Sequence, residues 1–449
     1  MDKNVIYVYA DWIDNNPVLI GKITVNNIRG RENISFEYDK EWLKRDESRI
    51  VLDPDIYLYQ GQQYPPNDKK MFGIFSDSCP DRWGRLLINR KEQIIARKEE
   101  RKPRGLTETD YLLNVYDKSR MGGLRFSTHK DEPFLSTDSQ LSNPPWTTLR
   151  KLEHASYEFE HTNYDENEKW INMLLSPGSS LGGSRPKATV VAPDGSLWIA
   201  KFPSKHDDRD IGAWEMVAHD LAVMCHLNVP EAKLERFSDY GSTFLIKRFD
   251  RENGKRVHFA SAMTLLGKTD RDFESGYLDI ANFIKENCYH PEKELKELWH
   301  RIVFNIAVSN TDDHLRNHAF ILRKDGWELT PVYDVNPSIH GQHLHLNISE
   351  YDSTLDFELA IETAQFYGIE NEEANEYISN VKEIIHDNWR NIAKQYGLSR
   401  NEIMSMEPAF MLTIPSINEV IKNTEAEAQE QTSKTNALGQ GAIDSHESR

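Results

Sequence analysis

The chain has 449 residues, of which 38% are hydrophobic and 10% aromatic, so it is long enough for two or three domains with buried cores. Its formal charge of −18 argues against nucleic-acid binding over the whole surface. The three scattered cysteines argue against a disulfide framework and a cysteine-based metal site. No apolar run approaches the roughly 18 residues of a membrane helix, and the N-terminus lacks a signal pattern. We therefore expect a cytoplasmic protein without a membrane partner.

The first part of the chain predicts a small β-rich unit. Residues 5–9, 19–25 and 34–38 are rich in β-branched and aromatic residues and predict an antiparallel sheet. Asp81 follows a proline and precedes an apolar-periodic run, which indicates the start of a helix. The unit is predicted to span residues 1–126, and the polar, proline-containing residues 127–145 are predicted to form a connection.

A Gly/Ser-rich loop precedes a predicted hairpin in the second part of the chain. Glycines let backbone N–H groups approach phosphates closely, but the loop lacks a Gly-Lys-Ser/Thr ending, and a flexible surface loop is the alternative. Lys201 ends the return strand, where kinases carry a nucleotide-binding lysine, although many strand-end lysines are simply solvated. Glu215 on the following predicted helix is a candidate partner for Lys201. The candidate loop residues are Ser180, Leu181, Gly182, Gly183 and Ser184.

The order of predicted elements indicates a two-lobed arrangement. A strand over Phe244 to Arg251 and a turn at Asn253-Gly254 complete the strand-rich part, and helical periodicity dominates from Ser261 to Met411. Strands followed by helices predict an α+β fold with a cleft between a lobe of residues 146–260 and a helical lobe of residues 261–420. The polar residues 421–449 are predicted to be a disordered tail.

An acidic cluster follows an amphipathic run that ends near Ile306, so we expect it where a buried helix meets a loop. Asp312 and Asn317 have the Asp-x4-Asn spacing of kinase catalytic loops, and Asp334 adds a second carboxylate. These oxygen donors suit a magnesium ion. Capping residues at a helix end, and a zinc site made by the histidines between His314 and His345, are the alternatives.

Several separate segments, in order, resemble the HipA family of bacterial toxin serine/threonine kinases. The resemblance implies a two-lobed protein-kinase-like fold with an extra N-terminal β-rich subdomain and a mainly helical C-lobe. The matching segments are residues 36–43, 77–87, 120–126, 180–187, 247–251, 312–317 and 333–334.

The resemblance also implies roles for individual residues. Asp312 corresponds to the catalytic base, Asn317 and Asp334 to magnesium ligands, and Lys201 to the lysine at the ATP phosphates. The strand with Lys247 and Phe249 corresponds to the hinge beside adenine. Ser180 falls at the regulatory autophosphorylation position, with Ser179 and Ser184 as alternatives, because Arg185-Pro186 departs from the loop of some members.

The expected function is an ATP- and Mg²⁺-dependent protein serine/threonine kinase that acts as the toxin of a type II toxin–antitoxin pair. The resemblance implies a protein substrate such as glutamyl-tRNA synthetase, a HipB-like antitoxin partner and DNA contact only through that antitoxin. A small-molecule phosphotransferase of the antibiotic-kinase type and a catalytically inactive scaffold for an antitoxin–DNA complex are the alternatives.

Overall fold

The computed structural model describes residues 5–28, 31–130, 134–135, 143–161, 168–178 and 183–414. None of the helices in these ranges combines the length and the apolar content needed to cross a membrane.

The N-terminal module, residues 5–127, begins with an antiparallel sheet in the order β3-β2-β1-β4. The three predicted strands are confirmed, and a fourth strand from the end of the module pairs with β1. The strands are β1 (Val5–Ala10), β2 (Val18–Ile28), β3 (Arg31–Tyr38) and β4 (Leu124–Ser127). The helices of the module are α1 (Gly73–Ser76), α2 (Arg82–Lys98) and α3 (Glu108–Asn114).

Helix α2 connects this module to the next sheet. Asp81 is its N-cap and accepts a hydrogen bond from the backbone nitrogen of Gly84 at 2.9 Å, which confirms the predicted helix start. The helix buries Trp83 and Leu87 in the same apolar core as the following helices and strands. Those helices are α4 (Leu149–His161) and α5 (Glu168–Gly178).

The second sheet is antiparallel, with the order β5-β6-β8-β7. Helix α6 (Ile211–Met224) packs on β8, and a Cβ at Gly212 would overlap the carbonyl oxygen of Ser242, so glycine permits this close approach. The strands are β5 (Lys187–Val191), β6 (Leu197–Lys201), β7 (Ala232–Ser238) and β8 (Gly241–Lys247).

The rest of the described chain is mainly helical and carries a three-stranded sheet in the order β11-β12-β13. The predicted turn at Asn253-Gly254 is confirmed and joins β9 (Arg251–Glu252) to β10 (Lys255–Arg256). The other strands are β11 (His258–Ser261), β12 (Ala319–Arg323) and β13 (Gly326–Leu329). The helices are α7 (Ala262–Leu265), α8 (Tyr277–Asn287), α9 (Pro291–Ala307), α10 (Phe357–Thr363), α11 (Asn371–Gln395) and α12 (Arg400–Ser405).

The α+β, two-lobed fold expected from the sequence is confirmed. The helical expectation from Ser261 onward is wrong for β12 and β13, which form a buried hairpin. Their short apolar runs have no helical length, and periodicity alone does not separate such a run from a helix segment.

Candidate active site

The centre of the candidate site is the ammonium of Lys201 at the end of β6. Its Nζ lies 2.5 Å from Oε1 of Glu215 on α6 and 2.7 Å from Oδ1 of Asp334. The predicted contact between Lys201 and Glu215 is therefore confirmed, and two elements distant in sequence meet at one cation. A lysine of the sheet paired with a helix glutamate and an aspartate of the other lobe is the arrangement that protein kinases need for phosphoryl transfer.

The protonation states follow from this contact. Burial lowers the pKa of Lys201, but Asp334 and Glu215 raise it by more, so the pKa lies above its ordinary value. Burial likewise raises the pKa of Asp334, but Lys201 more than offsets this and brings the pKa to about 2. Near neutral pH the site therefore holds a charged ammonium and a charged Asp334 carboxylate.

Helix α6 holds Glu215 in place from its N-terminus. The side chain of Asp210 caps the helix by accepting from the backbone nitrogen of Ala213 at 3.1 Å. The same carboxylate accepts from the backbone nitrogen and hydroxyl of Ser242 on β8, at 2.9 and 2.7 Å. These bonds fix the start of α6, the helix that carries Glu215, to the sheet that carries Lys201.

Asp334 occupies a left-handed backbone conformation with φ of 61°. Such a conformation is uncommon for a residue with a side chain and is frequent at functional sites. The hydroxyl of the preceding Tyr333 donates to the carbonyl oxygen of Arg316 at 2.7 Å. The segment that carries Asp334 is thereby tied to the loop that carries Asn317.

The acidic cluster lies at the end of α9, as predicted, because that helix ends at Ala307 and a loop follows. The loop is anchored by Asp313 rather than by Asp312. The buried Oδ2 of Asp313 accepts from the Tyr277 hydroxyl at 2.5 Å, from Nδ2 of Asn305 at 2.8 Å and from Nε2 of His318 at 2.7 Å. Burial raises the pKa of Asp313, but the neighbouring His318 and the hydrogen bonds from His318 and Tyr277 lower it by more.

With Asp313 anchored inside, the neighbouring Asp312 is directed to solvent, where a substrate hydroxyl can reach it. Nδ2 of Asn317 donates to the carbonyl oxygen of Asp312 at 3.0 Å. This bond uses the amide nitrogen, so the Oδ1 atom of Asn317 remains as a candidate acceptor for a ligand. The structure thus brings Asp312 and Asn317 together.

The donor chemistry fits a magnesium ion. Asp334 supplies a carboxylate that is 37% exposed, and Asn317 supplies an amide oxygen from the adjoining loop. Magnesium commonly binds to one or two protein oxygens together with substrate phosphates. The described ranges contain no group of three or more His, Cys, Asp and Glu side chains arranged as a metal site, so the zinc alternative gains no support there.

The glycine loop is described only in part. Ser179, Ser180, Leu181 and Gly182 lie outside the described residues, whereas Gly183 and Ser184 are described and exposed. Lys187 follows the loop and lies directly opposite Lys201 in the pairing of β5 with β6. Sequence reasoning did not select Lys187, because only the strand register shows that it shares a face with Lys201.

The predicted strand from Phe244 to Arg251 is wrong beyond Lys247, because β8 ends there and the predicted hinge residue Phe249 lies in the segment that follows. Lys247 is half-buried and forms an ion pair with Glu231 at 3.4 Å, and no contact of its ammonium with Lys201, Asp334 or Asn317 is present in the described chain. The ring of Phe249 lies 5.6 Å from that of Tyr333, the neighbour of Asp334. Phe249 is therefore adjacent to the candidate site, and Lys247 points toward a different partner.

The fold and this geometry define a protein-kinase-like protein. Residues 179–389 match the model of the HipA-like C-terminal domain family, which agrees with the resemblance found in the sequence.

Two similar proteins carry names that agree with this family match. A protein named putative kinase from Haemophilus influenzae is 27% identical over 41% of this chain and 65% of its own length. The serine/threonine-protein kinase toxin HipA of Shewanella oneidensis is 26% identical over 42% of this chain and 50% of its own length. The matches thus span about half to two thirds of these relatives.

The fold similarity extends further along the chain. A solved structure titled as a complex of Shewanella oneidensis HipA, HipB and operator DNA matches with a TM-score of 0.61 and 16% identity. The match covers 88% of this chain and 94% of the other, so the shared fold includes the N-terminal module.

Proposed function

We propose that the protein is an ATP- and Mg²⁺-dependent protein serine/threonine kinase. The observation that carries the proposal is the Lys201 ammonium held between Glu215 and Asp334, next to a loop that presents Asp312 and Asn317. Phosphoryl transfer requires positioning and charge neutralisation rather than covalent chemistry from the protein, and this arrangement supplies both.

In the proposed reaction, the Asp312 carboxylate accepts the proton of the substrate hydroxyl as its oxygen bonds to the γ-phosphorus and the bond from that phosphorus to the β,γ-bridging oxygen of ATP breaks. Lys201 binds phosphate oxygens and neutralises their charge. Asn317 and Asp334 would hold magnesium, which neutralises developing charge on the phosphates.

We further propose that the protein is the toxin of a type II toxin–antitoxin pair. The Shewanella relative is named as a toxin, and the structural neighbour was solved with HipB and operator DNA. On this basis the partners are a HipB-like antitoxin and a protein substrate of the aminoacyl-tRNA synthetase class, in the cytoplasm. DNA contact is then made through the antitoxin, in agreement with a formal charge of −18.

Ser180 is the proposed regulatory phosphosite. A phosphate group would bring a charge of roughly −1.5 to −2 to a loop beside the nucleotide phosphates. We expect this charge to expel the loop and to lower ATP affinity. The proposed unit boundaries remain 1–126, 146–260 and 261–420, with residues 127–145 as the connection and residues 421–449 as the tail.

The test is intact-mass spectrometry after incubation with ATP and magnesium. We expect a phosphate-sized mass gain in the wild type, no gain in Asp312→Ala, a reduced gain in Ser180→Ala and a normal gain in the exposed control Asp325→Ala. An unmodified protein that binds ATP but phosphorylates only an aminoglycoside-type acceptor is a small-molecule phosphotransferase. An unmodified protein that binds no ATP is a scaffold.

A further inference from the structure

Two lysines share one face of the second sheet, β5-β6-β8-β7. Lys187 on β5 pairs directly with Lys201 on β6, and opposite residues of an antiparallel pair lie on the same face with Cβ atoms roughly 4.5–5.5 Å apart. The Lys187 side chain is 3% exposed, and a buried ammonium needs a counter-ion. Lys201 has two such counter-ions, Glu215 and Asp334. The position of the Lys187 ammonium therefore depends on its own counter-ion.

That partner comes from the N-terminal module. Oδ2 of Asp81 lies 3.2 Å from Nζ of Lys187, while Oδ1 accepts from the backbone nitrogen of Gly84 at 2.9 Å. The next residue but one, Trp83, donates its indole N–H to the backbone carbonyl of Lys187 at 3.1 Å. The start of α2 therefore holds both the main chain and the ammonium of Lys187.

The ammonium retains capacity for a ligand. A lysine has three N–H donors, and the bond to Asp81 is the single hydrogen bond of Lys187 Nζ within the described ranges. The described end of the glycine loop lies against this ammonium, because a Cβ at Gly183 would lie 3.0 Å from Nζ. Gly183 also has φ of 90°, so both space and backbone conformation favour glycine there.

We propose that Asp81 is a positioning residue of the nucleotide site, which holds Lys187 beside Lys201 so that the free N–H groups of Lys187 meet phosphate oxygens. The inference rests on the proposed kinase function and extends it, because it makes the N-terminal module part of the nucleotide site. Asp81 acts through Lys187 and touches no reacting atom.

The substitution Asp81→Asn isolates this role from helix capping. Asparagine is as good an N-cap as aspartate, so the hydrogen bond to Gly84 is retained. Its side chain has one acceptor oxygen in place of two and no charge, so the interaction with Lys187 is lost. Asp356→Asn at the N-cap of α10 is the matched control, because that carboxylate accepts from the backbone nitrogen of Glu358 at 3.0 Å and has no lysine partner in the described part of the chain.

The experiment is a double-mutant cycle on the Kd of Mg-ATP for the full-length protein, using Asp81→Asn, Lys187→Met and the double variant. Loss of one charge-assisted hydrogen bond corresponds to about a tenfold weaker Kd, so we expect about that loss in each single variant. Because Asp81 acts through Lys187, the double variant is expected to bind no more weakly than Lys187→Met. Asp356→Asn is expected to bind as the wild type does.

The outcomes separate the two proposals. A wild type that binds ATP together with an Asp81→Asn variant of unchanged Kd, or with additive losses in the double variant, overturns the role of Asp81 and leaves the kinase proposal standing. A wild type that binds no ATP overturns the kinase proposal and with it the nucleotide role of Asp81. Peptide mapping after amine acetylation tests the ion pair of Asp81 with Lys187 directly. Lys187 is expected to be protected from acetylation in the wild type and acetylated in Asp81→Asn.

Discussion

Two carboxylates pair with the Lys201 ammonium, and they differ in their exposure to solvent. Asp334 is 37% exposed on its side chain and is available to a metal, whereas the Glu215 side chain is 4% exposed and, among the described residues, hydrogen-bonds only to Lys201. When a metal draws Asp334 away, Glu215 remains as the group that orients the lysine.

We therefore predict that Glu215→Gln lowers kcat/KM for ATP by about tenfold to a hundredfold, the equivalent of one lost charge-assisted hydrogen bond. Steady-state phosphorylation assays measure this effect. Glu235→Gln on β7 of the same sheet is the control and is expected to behave as the wild type. Equal kcat/KM values for the two variants would mean that Glu215 does not orient Lys201 during catalysis.

The candidate site residues selected from the sequence are those whose expected role depends on local spacing or on a family pattern. Asp312 and Asn317 are five residues apart on one loop, and Lys201 ends a strand. The sequence did not predict Asp313 as the buried anchor of that loop, because its partners Tyr277, Asn305 and His318 come from three different elements. Contacts of this kind depend on tertiary packing, which the hydrophobic periodicity of a sequence does not predict.

Strand β11 carries a histidine that sits between two tryptophans. The ring of His258 stacks on Trp12 of the N-terminal module with a centroid distance of 4.2 Å and lies 5.8 Å from Trp327 on β13. Neither ring nitrogen has a hydrogen-bond partner among the described residues. Burial therefore lowers the pKa of His258 to about 3.

This pKa predicts a pH dependence of stability. The unfolded chain binds a proton at His258 below about pH 6.5 and the folded protein does not, so this group costs stability as the pH falls from about 6.5 toward 3. Between pH 7.5 and pH 5.5 the wild type is expected to lose about 1.4 kcal/mol of unfolding free energy relative to His258→Phe, which keeps the stacked ring. Urea unfolding at both pH values measures the difference.

The exposed His206→Gln is the control for this measurement, and its stability is expected to follow the wild type at both pH values. The difference in unfolding free energy between the wild type and His258→Phe could instead be the same at pH 7.5 and 5.5. In that case His258 would titrate in the folded protein as it does in the unfolded chain, and the packing of His258 away from water between the tryptophans would be refuted.

At the level of elements, the sequence predicted the ends of helices and strands correctly where a capping or turn residue marked them. It failed where the type of element depends on burial alone. Asp81 before α2 and Asn253-Gly254 between β9 and β10 marked their elements directly. Helix α4 was not predicted. Strand β12 follows the acidic loop without a break, and its apolar run resembles a helix segment until its pairing with β11 is known.

Across the whole molecule, a buried ion network joins the N-terminal module to the segment between β8 and β9. Asp250 accepts from Arg248 at 2.8 and 2.7 Å, from Arg251 at 2.6 Å and from the backbone nitrogen of Gly122 at 2.8 Å. Arg248 also donates to the carbonyl oxygen of Ser119 at 2.7 Å. The Asp250 and Arg248 side chains have no exposed surface, so their charges are compensated within the protein.

This network predicts a large effect of one substitution. Asp250→Asn leaves two arginines facing a neutral group in a buried position, and breaking such a pair costs about 3–5 kcal/mol of unfolding free energy. The control is Glu252→Gln two residues away, since the pair of Glu252 with Arg323 is exposed and contributes at most about 1 kcal/mol. Urea unfolding of the two full-length variants measures the difference.

If Asp250→Asn unfolded at the same urea concentration as Glu252→Gln, the connection between the N-terminal module and the kinase-like lobes would rest on apolar packing rather than on these charges.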